Sequence, residues 1–151
     1  IDTIMAATIN SAFVDSGQWK IMYFPKKAST LLTKNCLVQF DGSGFVIEAT
    51  TTAGASDTPL IGIHIGAIQA AADATTALVP IAVPNEPLAT ARLLIDTGTP
   101  SATADLGKSF DISATGGVTV STTSNEPVTF VKYISATEGL FVLTNLSSPA
   151  A

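Results

Sequence analysis

Residues 59–87 read PLIGIHIGAIQAAADATTALVPIAVPNEP, two short β-branched runs joined by a small-residue loop. In the first run, Leu60 to Ile65, the isoleucines 61, 63 and 65 alternate with Gly62, His64 and Gly66. That period of two belongs to a half-buried strand. Glycine loosens a strand, so Gly62 and Gly66 on either side of His64 predict a bend or the close approach of another backbone, as where a small sheet curls into a barrel. The second run, Leu78 to Val83, carries Pro80 and stops at Pro84 and Pro87. Proline removes a ladder donor, which predicts an edge or corner strand.

Strand and turn signals continue on both sides of this stretch. Leu37 to Phe40 and Phe45 to Ala49 flank Asp41-Gly42-Ser43-Gly44, a hairpin signal. Leu88 to Ile95 sets Ala89, Ala91, Leu93 and Ile95 against Leu88, Thr90, Arg92 and Leu94, and apolar groups on both sides favour a buried or interface strand. The last third reads as a meander: Ser109 to Ile112, Val118 to Val120, Val128 to Ile134 and Leu140 to Leu146, with a tight turn expected at Gly139. The inner loop, residues 67–77, has room for one or two helical turns at most.

At 151 residues the chain suits one domain. Charged residues make up only 13% against a usual value of about 25%. Serine and threonine keep the surface wet instead, a composition shared by proteins that live in assemblies and by solvated loops alike. Four lysines stand against two aspartates in the first 35 residues, whereas three basic groups face ten acids in the rest. With a net charge of -5, nucleic acid is not an expected partner, since phosphate binding needs clustered Lys and Arg. No run approaches the ~18 apolar residues of a membrane helix, so no membrane association is expected.

Chemistry has little to work with. One histidine and one cysteine give no nucleophile–base pair at a recognisable spacing, and no Gly-x-Ser-x-Gly elbow, phosphate loop or dinucleotide fingerprint occurs. The acids are scattered singly, and the Asp41 loop reads as a plain turn. No enzyme activity, cofactor or metal is expected, and Cys36 and His64 are read as packed residues without a chemical role.

Residues 1–28 read as an extended N-terminal arm, because large apolar groups are spread there without a period. Its basic excess fits an acidic partner. Ile4, Phe13, Trp19, Lys20, Tyr23, Lys26 and Lys27 are its candidate docking residues; KIMYF (20–24) within it reads as a strand ended by Pro25. Arg92 and Leu94 are candidates for a subunit interface. Residues 29–146 form the expected β-domain, and 147–151 a frayed tail. The fold class is all-β, a small β-barrel or β-sandwich with that arm.

The order of these features resembles a known family. A polar lead-in (29–35), LVQFDGSGFVIEAT (37–50), IGIHIG (61–66), VPIAVP (79–84), ADLGKSFDI (104–112) before GGVTV (116–120), and FVKYIS (130–135) followed by GLFVLTNL (139–146) are similar to capsid decoration, or cement, proteins of tailed bacteriophages. The resemblance lies in spacing and turn chemistry, with no invariant motif. It implies a structural virion protein on the outer capsid surface, bound to the major capsid protein, stabilising the shell, and present as a homotrimer. A carbohydrate- or receptor-binding β-module, such as part of a head fibre, is the alternative, with Trp19 and Tyr23 as stacking platforms.

Overall fold

The computed structural model describes residues 12–143. They contain eleven strands and no helix: β1 (Ala12–Ser16), β2 (Trp19–Pro25), β3 (Cys36–Phe40), β4 (Val46–Glu48), β5 (Leu60–His64), β6 (Leu78–Pro84), β7 (Thr90–Thr97), β8 (Ser109–Ile112), β9 (Val118–Thr119), β10 (Val128–Ser135) and β11 (Glu138–Leu143). The expected all-β class holds. One sheet has the order β1-β7-β11-β10-β8-β9, and β9 returns to pair parallel with the end of β7. Strands β7, β11, β10, β8 and β9 therefore close into a five-stranded barrel, with β1 beside the first half of β7.

The second sheet has the order β2-β6-β5-β3-β4. Just past β2, Lys26 bridges Val46, and the Lys27 N–H donates to the Val46 carbonyl (3.1 Å), so the two outer strands of this sheet meet at one end. Its interior holds Cys36, Val38, Val46, Ile61, Val79, Ile81 and Val83, closed off by Phe24 and Phe40, whose rings meet edge to face at 5.4 Å. The larger core lies between the two units: Leu93, Phe110, Ile112, Phe130 and Phe141 of the barrel pack with Leu37, Leu60 and Ile63 of the second sheet. Strands β3 and β5 are thus covered on both faces.

That double burial corrects the reading of Leu60 to Ile65 as half-buried. Between Val38 and Gln39 the β3–β5 register shifts by one residue, and the extra residue is Ile61. The bulge turns Ile61 into the smaller core while Leu60 and Ile63 enter the larger one. A strict alternation of isoleucines cannot reveal such a slip. The expected close approach is real: a methyl group on Gly62 would run into the Ala82 carbonyl of β6.

Strand β6 is not at an edge, although it carries Pro80; it lies between β2 and β5. The Pro80 carbonyl accepts from the Ile65 N–H (3.2 Å), which places the missing Pro80 donor toward β5 as well. The β5–β6 ladder ends there, at His64↔Ile81. Nor is Gly139 in the β10–β11 turn, which is formed by Ala136 and Thr137 between Ser135 and Glu138. Gly139 sits inside β11 under the Phe130 ring, where a Cβ would lie 2.5 Å from Phe130 Cε1.

The arm is corrected in its second half. β1 pairs with β7, and β2 pairs with β6 along all seven of its residues, Trp19↔Pro84 to Pro25↔Leu78. The chain passes between the sheets at Gly17 (φ 87°), where a Cβ would lie 2.7 Å from Ala89 Cα. No single period spans residues 12–25 because they serve two sheets in succession. Ile4, like the expected tail, lies outside the described residues.

Candidate docking surface

Strand β7 alternates as its sequence predicts, with Ala91, Leu93 and Ile95 buried and Arg92 and Leu94 turned outward. Phe13 of β1 stands opposite Arg92, whose guanidinium carbon lies 5.0 Å from the Phe13 ring centroid. On the other side Arg92 meets Leu140 in β11, and its Nε reaches Glu138 Oε2 (3.5 Å). Phe13, Arg92, Leu94 and Leu140 therefore form one outer row on the barrel. Sequence placed Phe13 on the arm and Arg92 and Leu94 at an interface; the fold makes them neighbours.

A second outward row crosses β2 and β6. Tyr23 faces Pro80 and is 62% exposed, Pro25 faces Leu78, and Ile21 is 55% exposed. Lys20, on the other face of β2, is exposed too, while Lys27 lies 3.9 Å from Asp41. Trp19 and Lys26 do not belong to this surface. The Trp19 ring packs against the larger core, and its N–H donates to the Ser16 carbonyl (3.0 Å). Lys26 is fully buried, with Nζ donating to the carbonyls of Lys27 (2.8 Å) and Thr30 (3.0 Å). It is one residue past Pro25, in phase with the inward-facing Phe24. With Trp19 turned inward, the pair of stacking platforms for a sugar is reduced to Tyr23.

His64 and Cys36 stand opposite each other in β5 and β3, both buried. The Thr33 carbonyl accepts from His64 Nδ1–H (2.7 Å) and from the Cys36 thiol (3.1 Å), while Glu48 Oε2 accepts the Thr33 N–H (2.7 Å) and hydroxyl (2.8 Å). Burial, reinforced by the Glu48 carboxylate, pushes the thiol up to about 12, so it is not a thiolate nucleophile at neutral pH. Burial also lowers the His64 pKa, outweighing the Thr33 hydrogen bond and the pull of Glu48. The ring is neutral, and its Nε2 has no partner among the described residues.

A pH dependence follows with a definite sign. The unfolded ring takes up a proton near its ordinary pKa of about 6.5 while the folded ring does not, so stability contributed by neutral His64 is full above that pH and is lost as pH falls through the folded value. The chain has no other histidine. Urea unfolding at pH 7.5 and 5.0 is expected to show lower stability at pH 5.0; equal stabilities would show that the buried ring is as easily protonated as a free one.

Two structural carboxylates are not legible as such in the sequence. Asp96 Oδ2 accepts from the Ser113 hydroxyl (2.6 Å), the Thr115 hydroxyl and the Gly117 N–H (3.2 Å), fastening the turn before β9 to β7. Asp111 holds the loop before β10 through three backbone N–H groups. The Asp41 loop is a turn closed by Asp41 Oδ1, which accepts from Ser43 N–H (2.7 Å) and Phe45 N–H (3.2 Å). Among the described residues no three His, Cys, Asp or Glu side chains are grouped to hold a metal ion. Comparison of the chain with protein-family models and with curated proteins finds no match in either.

Proposed function

We propose that the chain is a non-enzymatic structural virion protein that binds the outer surface of a phage capsid and stabilises the shell. The observation that carries this reading is the outward row Ile21, Tyr23 and Leu78, large apolar groups held in water by paired strands. A rigid surface of this kind loses little conformational entropy on docking, which favours a long-lived protein contact. The sequence order shared with decoration proteins supplies the partner, the major capsid protein. Exposed Lys20 and Lys27 add attraction to an acidic shell, strongest at low salt. The outer row Phe13, Arg92, Leu94 and Leu140 is the proposed contact within a homotrimer.

Binding to expanded shells tests this directly. Mixed with purified shells, the protein is expected to saturate at a fixed number of copies per shell. Placing aspartate at both Ile21 and Tyr23 is expected to weaken binding at least tenfold, about 1.4 kcal/mol or more. Failure of the parent protein to sediment with shells, together with retention on a glycan array, would replace the capsid reading with the carbohydrate-binding one.

A further inference from the structure

Strand β2 pairs with β6 on one side, and the polar groups on its other side can be assigned by phase. Because Pro80 turns its carbonyl to Ile65 of the β5 side, Val79, Ile81 and Val83 turn theirs to β2, where they meet Phe24, Met22 and Lys20. Ile21 and Tyr23 therefore point both N–H and C=O away from β6. Both ends of the strand keep this phase: the Gln18 carbonyl accepts from Asn85 (2.8 Å), and the Lys26 N–H donates to Ala77 (3.0 Å). Among the described residues the outer side finds a partner at Lys27, whose N–H donates to the Val46 carbonyl. Among the described residues nothing pairs with Ile21 or Tyr23 on that side.

An open edge whose side chains are Lys20, Ile21, Met22 and Tyr23 has a single charge to discourage another strand. We propose that β2 is a pairing edge for a second copy of this chain, the two β2 strands lying antiparallel about a two-fold axis at Met22. In this register Ile21 of each copy stands opposite Tyr23 of the other, and the four free backbone groups of each strand find partners at once. Ile–Tyr is a favourable cross-strand pair. Lys20 stands opposite Phe24, so the two ammonium groups stay apart. Moving the axis to Ile21 also satisfies the backbone, but it sets Lys20 opposite Met22 and diagonal to its own copy, so like charges decide for Met22. The contact is isologous and self-limiting, and it leaves the Arg92–Leu94 row free. It therefore pairs protomers two by two whatever that row builds, and it does not depend on what the protein binds.

Three measurements on the full chain test it. Tyr23→Pro removes an outward donor while leaving the β6 ladder intact, and it is expected to halve the particle mass in sedimentation at concentrations where the parent is doubled. Met22→Cys is expected to give a disulfide-linked pair on mild oxidation, since residues opposite each other in a non-hydrogen-bonded pair lie about 4.5 Å apart, within disulfide range. The Ile21 and Tyr23 amides are expected to exchange at least tenfold faster on dilution, while those of Lys20 and Met22 stay protected. A parent whose mass is unchanged by Tyr23→Pro, or a Met22→Cys chain that fails to cross-link, overturns the proposal. Cross-linking that appears only after removal of residues 1–11 overturns it too, by showing that the chain's own N-terminal segment occupies the edge.

Discussion

Replacing Asp111 by alanine is expected to cost about 3 kcal/mol or more of stability, because one buried carboxylate accepts from three backbone N–H groups at once. Asp111 is 6% exposed, and its Oδ1 accepts from the N–H groups of Asn125 (2.8 Å) and Glu126 (2.7 Å), its Oδ2 from that of Ser124 (2.8 Å). These bonds hold Glu126 at φ 52°, a conformation that a side-chain-bearing residue adopts only when its surroundings impose it. The loop so shaped delivers Val128 opposite Phe110 and lets Asn125 Nδ2 reach the Thr51 carbonyl (3.1 Å) of the second unit. Loss of the carboxylate thus frays both the start of β10 and a tie between the two units. The pH dependence carries its own signature. Burial opposes ionisation of Asp111, but the three N–H groups and the Thr122 hydroxyl outweigh it and hold the carboxyl below its ordinary value. Its contribution is full above about pH 3.9 and is lost as pH falls through the lower folded value. Denaturant titrations at pH 7 and across pH 4 to 2 check both parts: an alanine variant within about 0.5 kcal/mol of the parent, or one with the parent's acid slope, would refute this role.

Sequence disclosed strands more readily than it disclosed what lies beside them. Ser109 to Ile112 and Val128 to Ile134 are legible because β-branched and aromatic residues alternate between strong turn signals, and they form β8 and β10 nearly as read. Closure is not legible in that way. The barrel depends on β9, only two residues long, pairing parallel with β7, and the second sheet meets itself through a bridge at Lys26. Neither contact leaves a hydrophobic period. The bulge at Ile61 is invisible for a related reason: the strand is apolar on both sides, so a one-residue slip does not change its pattern. The docking surface was half legible. Tyr23 and Lys20 are exposed, on opposite faces of β2, whereas Trp19, in phase with Tyr23, packs on the larger core and Lys26, in phase with Lys20, is buried; burial here is decided by what covers each end of the strand, which neither residue type nor alternation reveals. The anchoring acids were the least legible, since Asp111 is bonded to residues 13 to 15 positions away and its only signal is a polar run that ends in proline.

Lys26 carries the second large effect, and it separates folding from docking. A buried ammonium with no carboxylate in ion-pair contact persists only where its donors are met; here the carbonyls of Lys27 and Thr30 meet them at 2.8 and 3.0 Å, with that of Asp73 at 3.5 Å, and the Asp73 carboxylate adds a longer-range attraction. The side chain thereby ties the end of β2 to the loops 27–30 and 67–77 that cover this end of the second sheet. Lys26→Ala removes the packed stem and orphans the carbonyls, for an expected loss of about 3–5 kcal/mol. Lys26→Met keeps the stem, so its remaining deficit, about 1.5–3 kcal/mol, reads the ammonium–carbonyl bonds alone. Neutralising Lys20, which is exposed, is expected to change stability by less than about 0.5 kcal/mol and to weaken shell binding chiefly at low salt. The two lysines therefore differ in kind: one in unfolding midpoint, the other in the ionic-strength dependence of association. If Lys26→Ala unfolds within about 1 kcal/mol of the parent while its shell binding becomes salt-sensitive in the manner expected for Lys20, the ammonium is at the surface and the basic residues of the N-terminal segment act together in docking after all.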